Sequence, residues 1–466
     1  MITPPALPEP VMAPTASEEP SFEAARNACK LCSPLGAALV FRGVRGGMPF
    51  LHGSQGCATY IRRYLISHYR EPVDIASSNF SEETAVFGGA VILEKGLENV
   101  RRLYKPELIG VATTCLSETI GEDVPGLLKT YIGKHSREKD FPALVHASTP
   151  SYRGTHMDGF HAAVMALVSA LAQGGPRGNR IAVFPGMVSA ADLRRLRGIF
   201  SDFGLSPILT PDYGDSLDGP VWEEYRPIAD GGTPVEDLRA LGQTAASIQF
   251  GRILAGQAGP GDLLLERFQV PRYKLGLPIG LRETDWLYDT LAALSGRAIP
   301  ADRQRERGRL LDALVDGHKY LQGRRAILYG EEDLVVGLAS FLMETGVRPV
   351  LCASGSRSGR LAEALRAVTP PDQEPPEACE GADFAELEKA AAEWKPDLLL
   401  GNSKGYRMAR RLGIPLIRVG FPVHDRFGAA RLRHLGYDGA LELYDRLVNA
   451  VMERAQDTNP TGYSYL

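Results

Sequence analysis

Lys105-Pro106-Glu107-Leu108-Ile109-Gly110-Val111-Ala112 is the stretch from which the fold can be read, and Thr113-Thr114-Cys115 follows it directly. A proline-bearing turn gives way to five apolar or small residues with no polar alternation. An apolar run of that length predicts a strand buried on both faces, as in a parallel sheet covered by helices. The plan recurs. Ala143-Leu144-Val145-His146 is a second run. Residues 180–186 open a new series that 207–209 continue. Residues 325–330 open a third, followed by 349–352, 397–401 and 415–419. Amphipathic stretches separate the runs from about residue 90 onward. Three such series predict an α/β chain of three Rossmann-like, doubly wound parallel-sheet domains. Glycine-containing breaks at 173–176 and 321–323 set the expected boundaries: a flexible leader over 1–25, then domains over 26–175, 176–323 and 324–466, the last closing with a helix. The Pro- and Glu-rich stretch 369–381 reads as an exposed loop, and no solenoid repeat is present.

The bulk numbers agree with this division. A chain of 466 residues exceeds what one core serves, and 44% apolar with 23% charged residues is ordinary for a globular protein. A net charge of −4 and a pI near 6.2 leave no basic footprint for nucleic acid. No apolar run is long enough to span a membrane, and residues 1–20 lack a signal-peptide pattern, so a cytoplasmic protein is expected. Six cysteines in a chain of this length do not form a disulfide scaffold and suggest metal ligation or redox chemistry.

Four cysteines lie in the first third: Cys29, Cys32, Cys57 and Cys115. Glycines and short side chains around the last three let backbone approach a bulky group. Cys115 falls just past a strand's carboxyl end, where open α/β sheets place ligands. Thiolates suit iron–sulfur clusters, although free cysteine often simply fills a core. Cys352, in an apolar strand, is given that core role, and Cys379, in an acidic loop, is given none. Cys29 with Cys32 makes a CxxC spacing, but no second pair completes a zinc site. Three thiols fall short of four ligands, so the remainder would come from elsewhere in the chain or from a second subunit.

The words around these cysteines resemble a family. Cys-Ser-Pro-Leu-Gly-Ala (32–37), Met-Pro-Phe-Leu-His-Gly-Ser-Gln-Gly-Cys (48–57), His-Tyr-Arg-Glu-Pro (68–72) and Glu-Thr-Ala-Val-Phe-Gly-Gly (83–89) are similar to the β subunit of nitrogenase component 1. So are Thr-Thr-Cys-Leu-Ser-Glu-Thr-Ile-Gly-Glu-Asp (113–123), residues 149–156, Gly-Asn-Ser-Lys-Gly (401–405) and residues 418–428. The resemblance implies three Rossmann-like domains, an α-type (D-type) partner in an α2β2 heterotetramer, and an ATP-hydrolysing iron protein as electron donor. It also implies a P-cluster-type iron–sulfur cluster (8Fe-7S) at the αβ interface, with Cys32, Cys57 and Cys115 as the thiolates of this side. Ser151 matches the serine whose oxygen binds the oxidised cluster; the plain alternative is a loop hydroxyl satisfying backbone. Phe87 resembles the aromatic at which the iron protein docks. Tyr60 looks like a residue between cluster sites, and His52 like a hydrogen-bonding neighbour of the cluster. Arg70 and Glu71 match residues near a β–β metal site, though an ordinary salt bridge is the simpler expectation. The family holds its catalytic iron–sulfur cofactor through a Cys and a His of the α-type subunit, and no matching pair stands in the C-terminal half of this chain.

Within the family, the chain is shorter than the usual β subunit of the molybdenum enzyme. Residues 211–219 and 229–243 are similar to the N-type scaffold subunit, yet the full ligand set is kept. That mixture resembles the β-type subunit of nitrogenase-like methylthio-alkane reductases, which cleave C–S bonds in small thioethers. The alternatives are a β subunit reducing dinitrogen and a non-catalytic N-type scaffold for cofactor assembly. A metal-free α/β sugar- or nucleotide-binding enzyme whose cysteines are merely core is disfavoured, because no glycine-rich phosphate fingerprint follows an expected strand.

Overall fold

A computed structural model describes residues 28–461, so the leader expected over 1–25 lies outside the described residues. Three sheets are present, each wholly parallel. The first contains β1 (Gly47–His52), β2 (Ala76–Ser77), β3 (Leu108–Thr113) and β4 (Ala143–Ala147), in the order β2-β1-β3-β4. The second contains β5 (Arg180–Phe184), β6 (Ser206–Leu209), β7 (Ala246–Phe250) and β8 (Arg272–Leu275), in the order β6-β5-β7-β8. The third contains β9 (Arg325–Gly330), β10 (Arg348–Ser354), β11 (Glu377–Glu380), β12 (Leu398–Gly401) and β13 (Leu416–Arg418), in the order β11-β10-β9-β12-β13. In each sheet the chain works outward on one side of its first strand, then crosses to the other. That reversal leaves a crevice beyond the carboxyl ends of β1 and β3, β5 and β7, and β9 and β12, the place where such sheets hold ligands.

β3 is buried along its whole length, as its apolar run requires. Gly110 in its middle admits the ring of Phe41, since a Cβ there would lie 2.0 Å from Phe41 Cγ. Phe41 belongs to helix Ser33–Arg42, whose ten residues are all buried. This helix crosses helix His156–Leu171 at two glycines. A Cβ on Gly36 would sit 1.7 Å from the His156 carbonyl oxygen, and one on Gly159 1.8 Å from that of Ser33. One apolar cluster runs from Leu31 to Val451 through all three sheets. Among the described residues no helix is long and apolar enough to cross a membrane.

Two expectations are corrected. The alternation of strands and helices begins well before residue 90: β1 is a central strand, hidden in the sequence by Pro49 and His52. The stretch 369–381, read as loop, ends in β11, an edge strand on which Cys379 pairs with Ala353. Its glutamates suit an edge that must not recruit further strands.

Candidate metal centre

The crevice of the first sheet collects three of the cysteines. Cys32 is the N-cap of helix Ser33–Arg42, extended at φ −64° and ψ 141°. Cys57 lies in the first turn of helix Gln55–Tyr69, its amide donating to the Ser54 carbonyl (3.2 Å) and its sulfur 3.6 Å from Ser54 Oγ. Cys115 opens the short helix Cys115–Thr119 directly after β3. Ser151 ties two of these together. Its amide donates to Cys115 Sγ (3.3 Å), and its hydroxyl accepts the Ser33 amide (3.2 Å). Burial raises the Cys32 thiol above its ordinary value, the Ser151 hydrogen bond opposes this, and the neighbouring Cys115 and Cys57 raise it further. A metal binding here must therefore displace a firmly held proton. The amino-terminal ends of the two longer helices lie at Cys32 and Cys57.

The backbone beneath is fixed by short polar residues. The His52 carbonyl, at the end of β1, accepts from Ser117 Oγ (2.8 Å), the Thr114 amide (3.2 Å) and Thr114 Oγ1 (3.3 Å). Gly53 has no room for a side chain, because a Cβ would meet Thr114 Oγ1 at 2.0 Å. Thr149 binds Thr113 through its amide to Oγ1 (3.0 Å) and its hydroxyl to the carbonyl (2.6 Å), fixing the approach to Ser151.

All three thiols are partly exposed. Three of the four donors have an exposed apolar neighbour: Tyr60 one turn after Cys57, Leu116 after Cys115 and Tyr152 after Ser151. Among the described residues no three His, Cys, Asp or Glu side chains are gathered tightly enough to hold a single metal ion. Phe87 ends helix Glu82–Phe87 and is 84% exposed, flanked by exposed Val86 and Val91.

The other candidates separate. Cys29 is buried with Tyr329, Phe384 and Leu387 in the apolar cluster of the third sheet, its thiol pushed up to about 12 by burial. Cys352 is wholly buried in β10. Tyr60 lies against Tyr64 (ring centroids 4.7 Å, planes tilted by 53°), and burial, with the neighbouring Tyr64 and Cys32, raises its hydroxyl. Arg70 does not pair with Glu71. It ends helix Gln55–Tyr69 in a left-handed turn and donates to the His424 carbonyl (3.1 Å), while burial beside Asp218 raises Glu71.

Sequence reasoning assigned no role to two groups that hold the site. Lys404 Nζ donates to the carbonyls of Ala28 (2.6 Å) and Lys30 (3.1 Å), fastening the segment ahead of Cys32 to the third sheet. Glu331 meets His156 Nε2 at 3.1 Å, and the same ring accepts the Leu31 amide at Nδ1 (3.3 Å). Lys404 stood within a quoted family word; Glu331 carried no local signal.

Residues 32–452 match the family described as Nitrogenase component 1 type Oxidoreductase. The nitrogenase molybdenum-iron protein beta chain of Clostridium pasteurianum is 34% identical over 435 residues, covering 92% of this chain and 94% of that protein. The nitrogenase iron-molybdenum cofactor biosynthesis protein NifN of Nostoc sp. is 34% identical over 426 residues, covering 91% and 92%. The solved structure "Nitrogenase Cp1 at pH 6.5" superposes with a TM-score of 0.90 at 31% identity, over 97% of this chain and 98% of that one. With a family model matched over residues 32–452, a matching three-sheet fold and relatives aligned almost end to end, the chain belongs to the nitrogenase component 1 type oxidoreductases, on their β-type side.

Proposed function

We propose that this chain is the β-type subunit of a nitrogenase-like reductase. It holds half the ligands of a P-cluster-type iron–sulfur cluster (8Fe-7S) at its interface with an α-type subunit, within a cytoplasmic α2β2 heterotetramer. Family membership implies iron–sulfur clusters, an α-subunit partner and an iron protein. The observation that carries the reading is the meeting of Cys32, Cys57, Cys115 and Ser151 at one partly exposed, apolar-rimmed crevice.

Such a cluster, when bound, supplies low-potential single-electron transfer. The chain's own residues bind and position. Cys32, Cys57 and Cys115 bind as thiolates, and the Ser151 hydroxyl is a hard oxygen donor suited to oxidised iron. Tyr60, Leu116 and Tyr152 meet the α-type partner and keep water from the crevice. Phe87 takes the ATP-hydrolysing iron protein. The catalytic cofactor would be held by the α-type partner and would supply a reduction in which two electrons and two protons convert one C–S bond of a small methylthio-alkane into C–H and S–H. That substrate class is supported by the complete ligand set combined with the N-type character of residues 211–219 and 229–243. The similarity to NifN favours a second reading, a scaffold for cofactor assembly.

Anaerobic purification with the α-type partner, iron counting and EPR across a redox titration decide between them. Roughly eight irons per αβ pair with a redox-active signal support the relay. Iron limited to a four-iron cluster favours the scaffold, and an iron-free complex sinks both. Release of a thiol and an alkane, rather than ammonia, supports the substrate class. Phe87→Ala should leave iron content unchanged and weaken iron-protein binding about tenfold or more, as loss of an exposed aromatic anchor does.

A further inference from the structure

A buried polar chain links the Phe87 loop to the crevice. Glu122, whose side chain is only 8% exposed, lies at its centre. One carboxylate oxygen accepts the Gly89 amide, two residues past Phe87, and the other accepts from His52 Nε2. His52 is fully buried, and burial lowers its affinity for a second proton while Glu122 opposes this; the carboxylate at Nε2 matches the tautomer with its hydrogen on that nitrogen. Nδ1 then accepts from Ser78 Oγ (3.1 Å), and Ser78 Oγ accepts the Gly53 amide (3.0 Å). Gly53 begins the loop into Cys57. A second branch leads to Cys115: the Glu122 amide donates to the Ser117 carbonyl (3.2 Å), and Ser117 Oγ donates to the His52 carbonyl (2.8 Å). The contact has no slack at the docking end, because a Cβ on Gly89 would lie 2.6 Å from Phe80 Cζ and 2.8 Å from Glu122 Oε2.

A carboxylate withdrawn from water is costly unless its partners are fixed. Here both partners are fixed, and they belong to two different loops: one carries the exposed aromatic, the other precedes a thiolate. The geometry points to Glu122 as a positioning residue that transmits docking at the Phe87 loop to the loops bearing Cys57 and Cys115. This rests on the electron-relay reading above. A displacement of Gly89 is passed to His52 and from it to Gly53 and Ser117, so the cluster's ligands move when the donor protein seats.

The test compares Glu122→Ala with Glu122→Gln in the α2β2 complex. Alanine breaks the chain. Glutamine can rebuild it with reversed polarity: its carbonyl accepts the Gly89 amide, its NH2 donates to His52 Nε2, and the ring hydrogen moves to Nδ1 facing Ser78. Single-turnover oxidation of the iron protein is followed by stopped flow, with iron content and iron-protein affinity measured in parallel. Glu122→Ala should slow electron transfer about tenfold, within the usual range of coupling between sites, with iron and affinity unchanged, and Glu122→Gln should restore it. A wild-type rate in the alanine variant overturns the proposal. So does a loss of iron in Glu122→Ala that accounts for the rate, or a glutamine variant as slow as alanine, which would make charge the cause. Amide hydrogen exchange reads the chain without any cluster: alanine, but not glutamine, should raise exchange at both Gly53 and Gly89, and an unchanged pattern overturns the proposal. A wild-type complex without iron would sink the relay reading, and the exchange comparison would still decide the linkage.

Discussion

Replacing Gly36 with alanine tests whether the helix crossing sets the position of Cys32. The added Cβ would lie 1.7 Å from the His156 carbonyl oxygen and 2.6 Å from the Phe160 amide nitrogen, whereas real contacts stay beyond 3.0 Å. Both obstacles are backbone, so no rotamer relieves them, and the helices must part by more than 1 Å. Helix Ser33–Arg42 is buried on every side, so the movement opens gaps opposite, and a gap of that width forfeits a large part of each dispersion contact. Overpacking costs about 1–3 kcal/mol where side chains can yield, and more where they cannot. Alanine returns about 1 kcal/mol of helix propensity. The net expectation is a loss of about 2–3 kcal/mol, a fall of roughly 5–10 °C in unfolding midpoint for a unit of this size. Gly198→Ala is the control. It sits mid-helix in Ala190–Asp202 with nothing within 4 Å of the added carbon, and should raise the midpoint slightly. Thermal scans of the purified complex at one fixed rate compare the two, with iron content alongside. If both variants move the midpoint in the same direction, the reasoning fails. If Gly36→Ala lowers it while iron stays complete, the crossing does not govern Cys32.

Other outcomes follow from single contacts. Ser151→Ala removes the hydrogen bond that opposes the rise of the Cys32 thiol, so alkylation of Cys32 in the iron-free chain should shift to higher pH; an unmoved profile would refute the contact. Lys404→Met removes both donations to the Cys32-bearing segment and should expose residues near 30 to limited proteolysis and lower iron content, whereas wild-type resistance would refute the tie. Burial pushes the Asp333 carboxyl from 3.8 up to about 7 while its Oδ1 accepts the Ile253 amide at 2.7 Å. The folded chain then keeps a proton that the unfolded chain has released, so this contribution is whole below pH ~4, falls by about 1.4 kcal/mol per pH unit as pH rises toward 7, and levels off above. Asp333→Asn keeps the acceptor and should flatten the stability profile between pH 5 and 7; parallel profiles would refute the assignment.

Strands could be read wherever both faces are buried. β3, β5 and β9 are continuous apolar runs, and the sheet they imply is the sheet that forms. The strands that escaped reading obey other constraints. β1 carries Pro49 and His52, β7 alternates Ser247 and Gln249 with apolar residues, and β8 is a part-exposed edge with Arg272 and Lys274. The site divides likewise. The thiols and Ser151 stood in recognisable words, but their supports are distant in the chain: Lys404 lies 376 residues from Ala28, and Glu331 175 from His156. No local pattern encodes such a contact. The CxxC spacing misleads for a geometric reason. Cys29 stands at a bend, its amide bound to the Ala382 carbonyl, and enters the third sheet's core, while Cys32 at the head of helix Ser33–Arg42 reaches the crevice.

The fastening of residues 28–30 to the far end of the chain has a consequence for synthesis. Cys32 emerges early from the ribosome, but the carbonyl that receives the Cys29 amide belongs to Ala382, and the ammonium that grips Ala28 and Lys30 belongs to Lys404. At about 5–20 residues per second, roughly 20–70 s separate the making of this thiol from the making of its anchor. During that interval the segment around Cys32 is held from within its own domain, by the Leu31 amide on His156 Nδ1 and the Ser33 amide on Ser151 Oγ, while residues 28–30 await their partners. A chain truncated before the third sheet keeps the Leu31 and Ser33 contacts but lacks the Ala382 and Lys404 partners, so its residues 28–30 should be more open to limited proteolysis than those of the full chain.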